Sequence, residues 1–320
     1  MARPFKREVN FLKPRKIYFT IAVVFVIATA IALPLKGLNF GIEFVGGTSV
    51  EFSDTGDISI EQMRSAWNDI ISDTPIIQTS TSTTTGESGF IVRISETDAA
   101  RAYELTDQVL AVLGLPENSG VVTTIGPGWG AEVTRRSVIA FTVAIVLIIA
   151  YIGIRFRDFK MGVSAVASLV HDLIIIVGIY AILGREVTPN VIAALLTIMG
   201  YSLYDSVVVF HRVNDNMTNT ERHSFMTVAN HSINQVFMRT INTTIAAIIP
   251  VLAMLFFGGE TLKDFAFAMT IGLLLGPYSS IAIASPIYAL WKQTEPKFKK
   301  LAKKYGEGLD VFTVAEQLGD

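Results

Sequence analysis

Asp172 and Asp205 lie inside long apolar runs of this 320-residue sequence, and Arg239 lies at the entry of another. An ionisable side chain at the centre of a membrane helix costs roughly 2.5–3.5 kcal/mol on insertion scales, so each needs a partner or a wet path. Each also belongs to a polar stripe at helical spacing. Ser164, Ser168, His171 and Asp172 recur at i, i+4, i+7 and i+8, and so do Thr197, Tyr201, Tyr204 and Asp205. Ser232, Gln235, Arg239, Asn242 and Thr243 form a third stripe. One polar face on each of three helices is what a buried hydrophilic seam requires, and its chemistry would be proton transfer. Asp205 and Arg239 come out at similar depth on antiparallel neighbours and could pair. Paired, the acid stays ionised; with the guanidinium withdrawn, burial disfavours that charge. The pair is therefore either a titratable switch or a static pin between two helices. Tyr204, Gln235, Asn242, His171 and Asp172 are the candidate supporting groups. Asp172 and Asp205 also invite comparison with an intramembrane aspartyl protease, whose two carboxylates share a proton. Arg239 would hold one of them ionised, and no Gly-x-Gly-Asp occurs, so no catalytic residue is assigned. The chain has no cysteine, which removes thiol nucleophiles, disulfides and cysteine metal sites. Its four histidines (His171, His211, His223, His231) make no metal-ligand cluster, so neither a metal nor a cofactor is expected.

The elements that must position these residues are membrane helices. Hydrophobic residues make up 51% and charged residues 17%, with a mean hydropathy of +0.48. That excludes a disordered, fibrous or nucleic-acid-coating chain. Apolar runs near 17–35, 137–154, 161–183, 187–210, 241–257 and 265–291 each approach the thickness of a bilayer core. The fifth is short and extends backwards only through polar residues. Eighteen of the 26 basic residues fall on one side of these spans, whereas the short opposite loops carry only Lys36, Arg185 and Lys263. Positive-inside then places both termini in the cytoplasm: residues 1–16 before span one and 292–320 after span six. The first run exceeds the usual 7–15-residue signal-peptide core and reads as a retained anchor. Residues 135–291 hold the other five spans, with an amphipathic segment near 220–234 at the cytoplasmic interface.

Residues 36–134 read as a separate outer unit. Residues 37–134 contain three Arg, no Lys and fourteen Asp or Glu, a net charge of −11, against +9 for the rest of the chain. Thr48–Phe52 alternates as a strand, and Ser59 with Gln62 forms a capping box before Met63, Trp67 and Ile70 at helical spacing. Residues 75–79 read as a strand, 79–85 as a hairpin tip, and Phe90, Val92 and Ile94 as the next strand. Residues 98–113 read as a helix, 116–120 as a turn and 121–125 as a last strand. The order is βαββαβ, the ferredoxin-like unit. The fold class is thus a polytopic α-helical membrane protein with six spans and one extracytoplasmic α+β domain between spans one and two. The acidic outer unit has no catalytic constellation; it is a solvated surface or a binding module for a polypeptide.

Span six carries Ala268, Gly272, Gly276, Ser280 and Ala284 at every fourth position, a small-residue stripe that lets another backbone approach. Pro250, Pro277 and Pro286 are expected to kink the last spans.

Four motifs resemble one known family. Gly37 to Thr48, containing Gly41, Glu43, Phe44, Gly46 and Gly47, resembles the G-x-D-F-x-G-G-T signature of the SecD/SecF protein-export membrane proteins. Ile125 to Glu132, containing Gly126, Pro127, Gly130 and Glu132, resembles their V-G-P-x-x-G-x-E motif. Gly200 to Asp205 and Ser232 to Thr240 resemble their span-four and span-five motifs, and the small outer unit is nearer the SecF side of the family. The resemblance implies a member of the resistance-nodulation-division superfamily in the bacterial plasma (inner) membrane. Its partners would be SecD, the SecYEG translocon, a translocating preprotein and the lipid bilayer, with no nucleic acid. It implies use of the proton-motive force in late preprotein translocation, with Asp205 and Arg239 on the family's proton-pathway positions. Three residues depart from the pattern: Glu43 for Asp, Tyr204 for Asn and His211 for Asp. A passive scaffold for SecD and a small-molecule exporter of the same superfamily are the alternative readings.

Overall fold

The computed structural model describes residues 8–81, 88–156, 158–219 and 223–306. Helix α1 (Arg15–Lys36) leads into a two-residue strand β1 (Asn39–Phe40), a single helical turn α2 (Ile42–Val45) and strand β2 (Gly47–Phe52). Then come α3 (Ile60–Asn68), β3 (Ile76–Thr81), β4 (Ser88–Ile94), α4 (Ala99–Leu113) and β5 (Gly120–Ile125). The capping box forms: Ser59 Oγ accepts from the Gln62 amide (3.2 Å) and Gln62 Oε1 from the Ser59 amide (2.8 Å). Asp98 caps α4 in the same sense. The four longer strands make one antiparallel sheet in the order β3-β4-β2-β5. One face of the sheet, including Val50, Phe52, Phe90 and Val92, buries against Met63, Ala66 and Trp67 of α3 and Leu105 and Val109 of α4. Trp67 is fully buried and meets Phe52 edge-on; truncating such a core aromatic costs about 3–5 kcal/mol. Strand β3 runs on to Thr81, past the start of the expected hairpin tip, and the rest of that tip, 82–87, lies outside the described residues.

Six helices among the described residues are long and apolar enough to cross a membrane. After α1 they are α5 (Pro127–Phe156), α6 (Phe159–Leu183), α7 (Pro189–Asn219), α8 (Phe225–Phe257) and the run Leu262–Gln293. That last run joins α9 (Glu260–Ser279), a π-helical turn Ser280–Ala284 and α10 (Ser285–Gln293). Pro277 lacks the amide that a regular turn would use, and the wider turn begins three residues further on, at Ser280. A short helix α11 (Pro296–Tyr305) follows. Between α6 and α7 lies β6 (Glu186–Val187), which pairs in parallel with β1.

Small residues set the closest helix crossings. A Cβ on Gly178 of α6 would collide with Thr29 of α1, and one on Gly272 of α9 with Ile198 of α7. Gly276 faces the backbone of Ser202 at 3.7 Å. The stripe on α9 is therefore a seam against α7 within the chain. Helix α5 lies at the margin of the bundle, with 6% of its apolar window buried.

The amphipathic segment expected near 220–234 needs correction. From Phe225 it is the opening of the 33-residue α8, capped by Ser224, and residues 220–222 lie outside the described residues. Phe225, Met226, Val228, Ala229 and Ile233 are buried, not laid on an interface. The reason is that three neighbouring pieces converge there. Phe225 packs on Tyr288 of α10 and Phe298 of α11, and Leu12 joins the same cluster from the N-terminal segment. Asn230 Oδ1 accepts from the amides of Phe11 (2.8 Å) and Leu12 (3.3 Å), and Asn234 Oδ1 from that of Val9 (2.8 Å). Glu8 pairs with His231. The N-terminal segment is thus strapped across α8.

Candidate functional site

Asp205 sits in the middle of α7, only 9% exposed, at the wall of a cavity of about 200 Å³. Tyr201 and Tyr204 of α7, Thr243 and Thr244 of α8, and Gly272, Gly276 and Pro277 of α9 also line it. The glycines leave the space that a larger side chain would fill. Arg239 reaches this site from α8, but its direct partner differs from the expected one. Its Nη2 donates to the Tyr204 hydroxyl at 2.7 Å, and the guanidinium lies 5.9 Å from the Tyr204 ring. Among the described residues no cation lies within 4.0 Å of the Asp205 carboxylate, although Arg239 is close enough to attract it electrostatically. The cause is azimuth: Tyr204 turns outward, half exposed, while Asp205 turns inward one residue on. Tyr204, one of the departures from the family pattern, is the residue that receives the arginine.

The His171–Asp172 stripe faces the interior. Ser164, Ser168 and Asp172 are fully buried and His171 nearly so. Asp172 Oδ2 accepts from Ser202 of α7 at 2.7 Å and from Ser279 of α9 at 2.6 Å, while Oδ1 lies 3.2 Å from His171 Nδ1. One carboxylate therefore ties three helices together, one turn of α7 away from Asp205. A second hydroxyl pair, Ser206 and Ser280 (2.9 Å), continues this column beside the π-turn. Ser202 and Ser279 were not singled out from the sequence. Their signal was available: Ser202 lies three residues before Asp205, and Ser279 adjoins the small-residue stripe.

Gln235 does not join Asp205. It accepts from Arg212 and Asn216 and meets His231, in a network that begins one turn of α8 before Arg239. Asn242 is exposed, as are Tyr201, Gln235, Arg239 and Thr243, so α7 and α8 present a partly polar outward face. His211, another departure, is exposed and pairs with Asp215 at 3.0 Å.

The glycine motifs meet each other. Gly46 and Gly47 have φ of 78° and 127°, conformations that favour glycine, and a Cβ on Gly47 would lie 2.7 Å from the Ile94 carbonyl oxygen. A Cβ on Gly130 would collide with the carbonyl of Phe44 and lie 3.3 Å from the Gly46 nitrogen. Helix α5 is thereby seated directly on α2. Gly126 and Gly128 have open space around them. Glu132 stays on the surface with Arg135 and Arg136.

The sequence comparisons agree with this geometry. The family profile "Protein export membrane protein SecD/SecF, C-terminal" matches residues 114–294, and "SecD/SecF GG Motif" matches residues 31–53. The protein translocase subunit SecF of Streptomyces coelicolor is 34% identical over 303 residues, which cover 92% of this chain and 80% of that one. The chain belongs to the SecD/SecF family of protein-export membrane proteins. The protein translocase subunit SecDF of Thermus thermophilus is 34% identical over 88% of this chain, which spans 38% of that relative's length. The crystal structure of SecDF from Thermus thermophilus superposes with a TM-score of 0.80 at 32% identity, covering 91% of this chain and 39% of that one. As a SecD/SecF member the chain carries both glycine motifs at a contact, Gly130 on Phe44, and the span-four acid beside a cavity.

Proposed function

We propose that the chain is an accessory subunit of Sec protein export, that it works beside SecD, and that it uses the proton-motive force to promote late translocation and release of preproteins. The observation that carries this reading is the placement of Asp205: a carboxylate buried mid-helix, open to a cavity, with a cation one side chain away, held by the Tyr204 hydroxyl. A static pin would hold acid and guanidinium in contact. Here Arg239 is held by a neutral hydroxyl, so the acid can exchange a proton without first breaking a salt bridge. Each charge moved across the membrane supplies about 2.3 kcal/mol per 100 mV, enough to shift a two-state element more than tenfold.

SecD fits the exposed polar face of α7 and α8, because Tyr201, Gln235, Arg239, Asn242 and Thr243 cannot all face lipid without cost. The length of the Thermus SecDF relative, of which this chain spans 38%, leaves room for that other half. Residues 36–134 then lie outside the plasma membrane as a ferredoxin-like domain, a reading supported by the antiparallel order β3-β4-β2-β5 and the two helices on one face. Both termini lie in the cytoplasm, next to SecYEG, and the outer domain meets the emerging preprotein.

The test is preprotein release by cells depleted of their own SecF and supplied with this chain or its Asp205→Asn form, at matched membrane levels and matched SecD co-purification. Rescue by the native chain alone supports the proton-driven reading. Equal rescue by both makes the chain a scaffold.

A further inference from the structure

A second group of ionisable side chains lies away from Asp205, where the outer sheet meets the helical bundle. Glu186, in the loop between α6 and α7, is 7% exposed and pairs with Arg93, which projects from β4 of the sheet. Glu43, on the single-turn helix α2, points to the same place. The Glu43 Oε2 and Glu186 Oε1 atoms both crowd the point above Gly41 that a Cβ would occupy, so the two carboxylates converge on one spot. Glu43 Oε2 is buried without a hydrogen-bond partner, and so is Arg93 Nη1. Two carboxylates thus meet in a buried junction, one of them paired with the Arg93 guanidinium. The other charged groups around it are already engaged. Asp264 of α9 faces Glu186 but pairs with Arg185 at 3.4 Å, Arg185 stacks on Phe267, and Lys36 of α1 donates to the Ile182 carbonyl. The backbone joins here too: β1 pairs with β6, and the Gly41 amide donates to the Val187 carbonyl at 3.0 Å.

We propose that Glu43 and Glu186 share one proton beneath Arg93, and that this shared proton clamps the outer sheet onto the helical bundle. With the proton the trio is neutral, and a carboxyl-to-carboxylate hydrogen bond satisfies the lone Glu43 oxygen. Without it the trio carries a net negative charge, and two like charges oppose each other at low dielectric. Burial pushes the Glu186 carboxyl up to about 7, with Arg93 opposing the rise and Glu43 and Asp264 adding to it. A carboxyl raised in the docked state and ordinary (about 4.3) when exposed binds its proton more tightly docked. Docking is therefore strongest in acid, weakens by up to about tenfold per pH unit as pH rises from roughly 4.5 to 7, and is constant above that. The clamp stands whether or not Asp205 carries protons. It also gives the glycine motif's acid a task that Asp205 does not share.

The test uses the full chain in lipid nanodiscs. Infrared spectra are recorded across pH 5–9 on the native chain, Glu43→Gln and Glu186→Gln. The expected result is one carboxylic C=O band that titrates near pH 7 and is absent from both variants. The distance between the outer sheet's domain and the bundle is read in parallel from spin labels on a Tyr103→Cys, Phe257→Cys chain. The native sequence has no cysteine, and both positions are exposed. The docked fraction should fall from pH 5 to pH 8 in the native background and stay high in both Gln variants, whose amides supply the hydrogen bond and remove the repulsion. Absence of the band, or its survival in either variant, overturns the shared proton. A titrating band with a pH-independent distance overturns the clamp.

Discussion

Replacing Asp172 tests whether one carboxylate holds the core of the bundle together. Asp172 is fully exposed to protein and not at all to solvent, and it accepts two short hydroxyl hydrogen bonds from different helices, at 2.6 and 2.7 Å. In water-soluble proteins a hydrogen bond to a charged group is worth about 1.5–3 kcal/mol. Inter-helix hydrogen bonds in membranes average about 0.6 and reach about 1.7 kcal/mol, because the separated helices also find partners. Two such bonds at about 1 kcal/mol each, between the membrane average and maximum, plus the void left by the side chain, put Asp172→Ala at about 3 kcal/mol. Asp172→Asn keeps an acceptor oxygen and the volume, and should cost about 1 kcal/mol.

The assay is unfolding of the purified chain in mixed micelles, followed by the loss of helical signal, with Ser279→Ala and the double variant completing a cycle. The coupling between Asp172 and Ser279 is expected at about 1 kcal/mol. A coupling indistinguishable from zero, or an Asp172→Ala cost below about 1 kcal/mol, would refute the reasoning, because the two bonds would then be geometry without energy.

Three further outcomes follow from single contacts. Gly130→Ala drives a methyl into the Phe44 carbonyl, a backbone group that cannot swing aside, and should cost about 1–3 kcal/mol; Gly128→Ala, with nothing within 4 Å, should be neutral or slightly stabilising by the same melting assay. Asn230→Ala removes the acceptor for two backbone amides of the N-terminal segment and should raise the rate of limited proteolysis at residues 8–14 several-fold, with the helical content unchanged. At Asp158, burial works against the charge, but the hydrogen bond and attraction of Lys292 and the amides of Met161 and Lys160 outweigh it and hold the carboxyl below its usual range. A depressed carboxyl stabilises the fold above its unfolded value of about 3.9 and loses that contribution as pH falls through the lower folded value. The native chain should therefore lose melting temperature as pH falls below about 4, and Asp158→Asn should be lower at neutral pH and flatter as the solution is acidified.

What could be read from the sequence divides by range. Long apolar runs and the capping box at Ser59 state their own structure, because helix length and a three-residue reciprocal hydrogen bond are local. The alternation Phe90, Val92, Ile94 likewise places three residues on one buried face. The strands β1 and β6 are two residues each and have no period to detect; they exist because α1 and α6 bring Asn39 and Glu186 side by side. The opening of α8 looked amphipathic because its partners, Leu12 and Phe298, are more than 200 and 60 residues away in sequence. Depth along a helix was legible, and azimuth was not. Asp205 and Arg239 do lie at one level, but one residue's rotation puts Tyr204 under the guanidinium instead. Arg93 is one of only three basic residues in the acidic stretch 37–134, a signal that it is held by something specific.

The two acids proposed to exchange protons are joined by one stiff element. Glu186 lies in β6, three residues before α7 begins, and Asp205 lies 16 residues into that helix, about 24 Å along its axis. No proline interrupts α7 beyond its first residue, and Ser202 and Ile198 key it to α6 and α9. Such a helix lacks the proline that most often causes a sharp kink. If a proton on Asp205 changes the hold of Arg239 or the α7–α9 seam, α7 is the element that carries the displacement to β6. There it meets β1, Gly41 and the Glu43–Glu186 junction under Arg93. The outer sheet is then driven through its own anchoring charge cluster instead of a loose glycine hinge. The positive-φ Gly46 and Gly47 and the crowded Gly130 serve as rigid seats for that transfer, so substitutions there should uncouple outer-domain movement from Asp205 even where the fold survives. A Gly130→Ala chain that assembles with SecD and fails in preprotein release would have the phenotype of Asp205→Asn with the acid intact. A Gly130→Ala chain that folds and exports normally would place the coupling elsewhere than the α2–α5 contact.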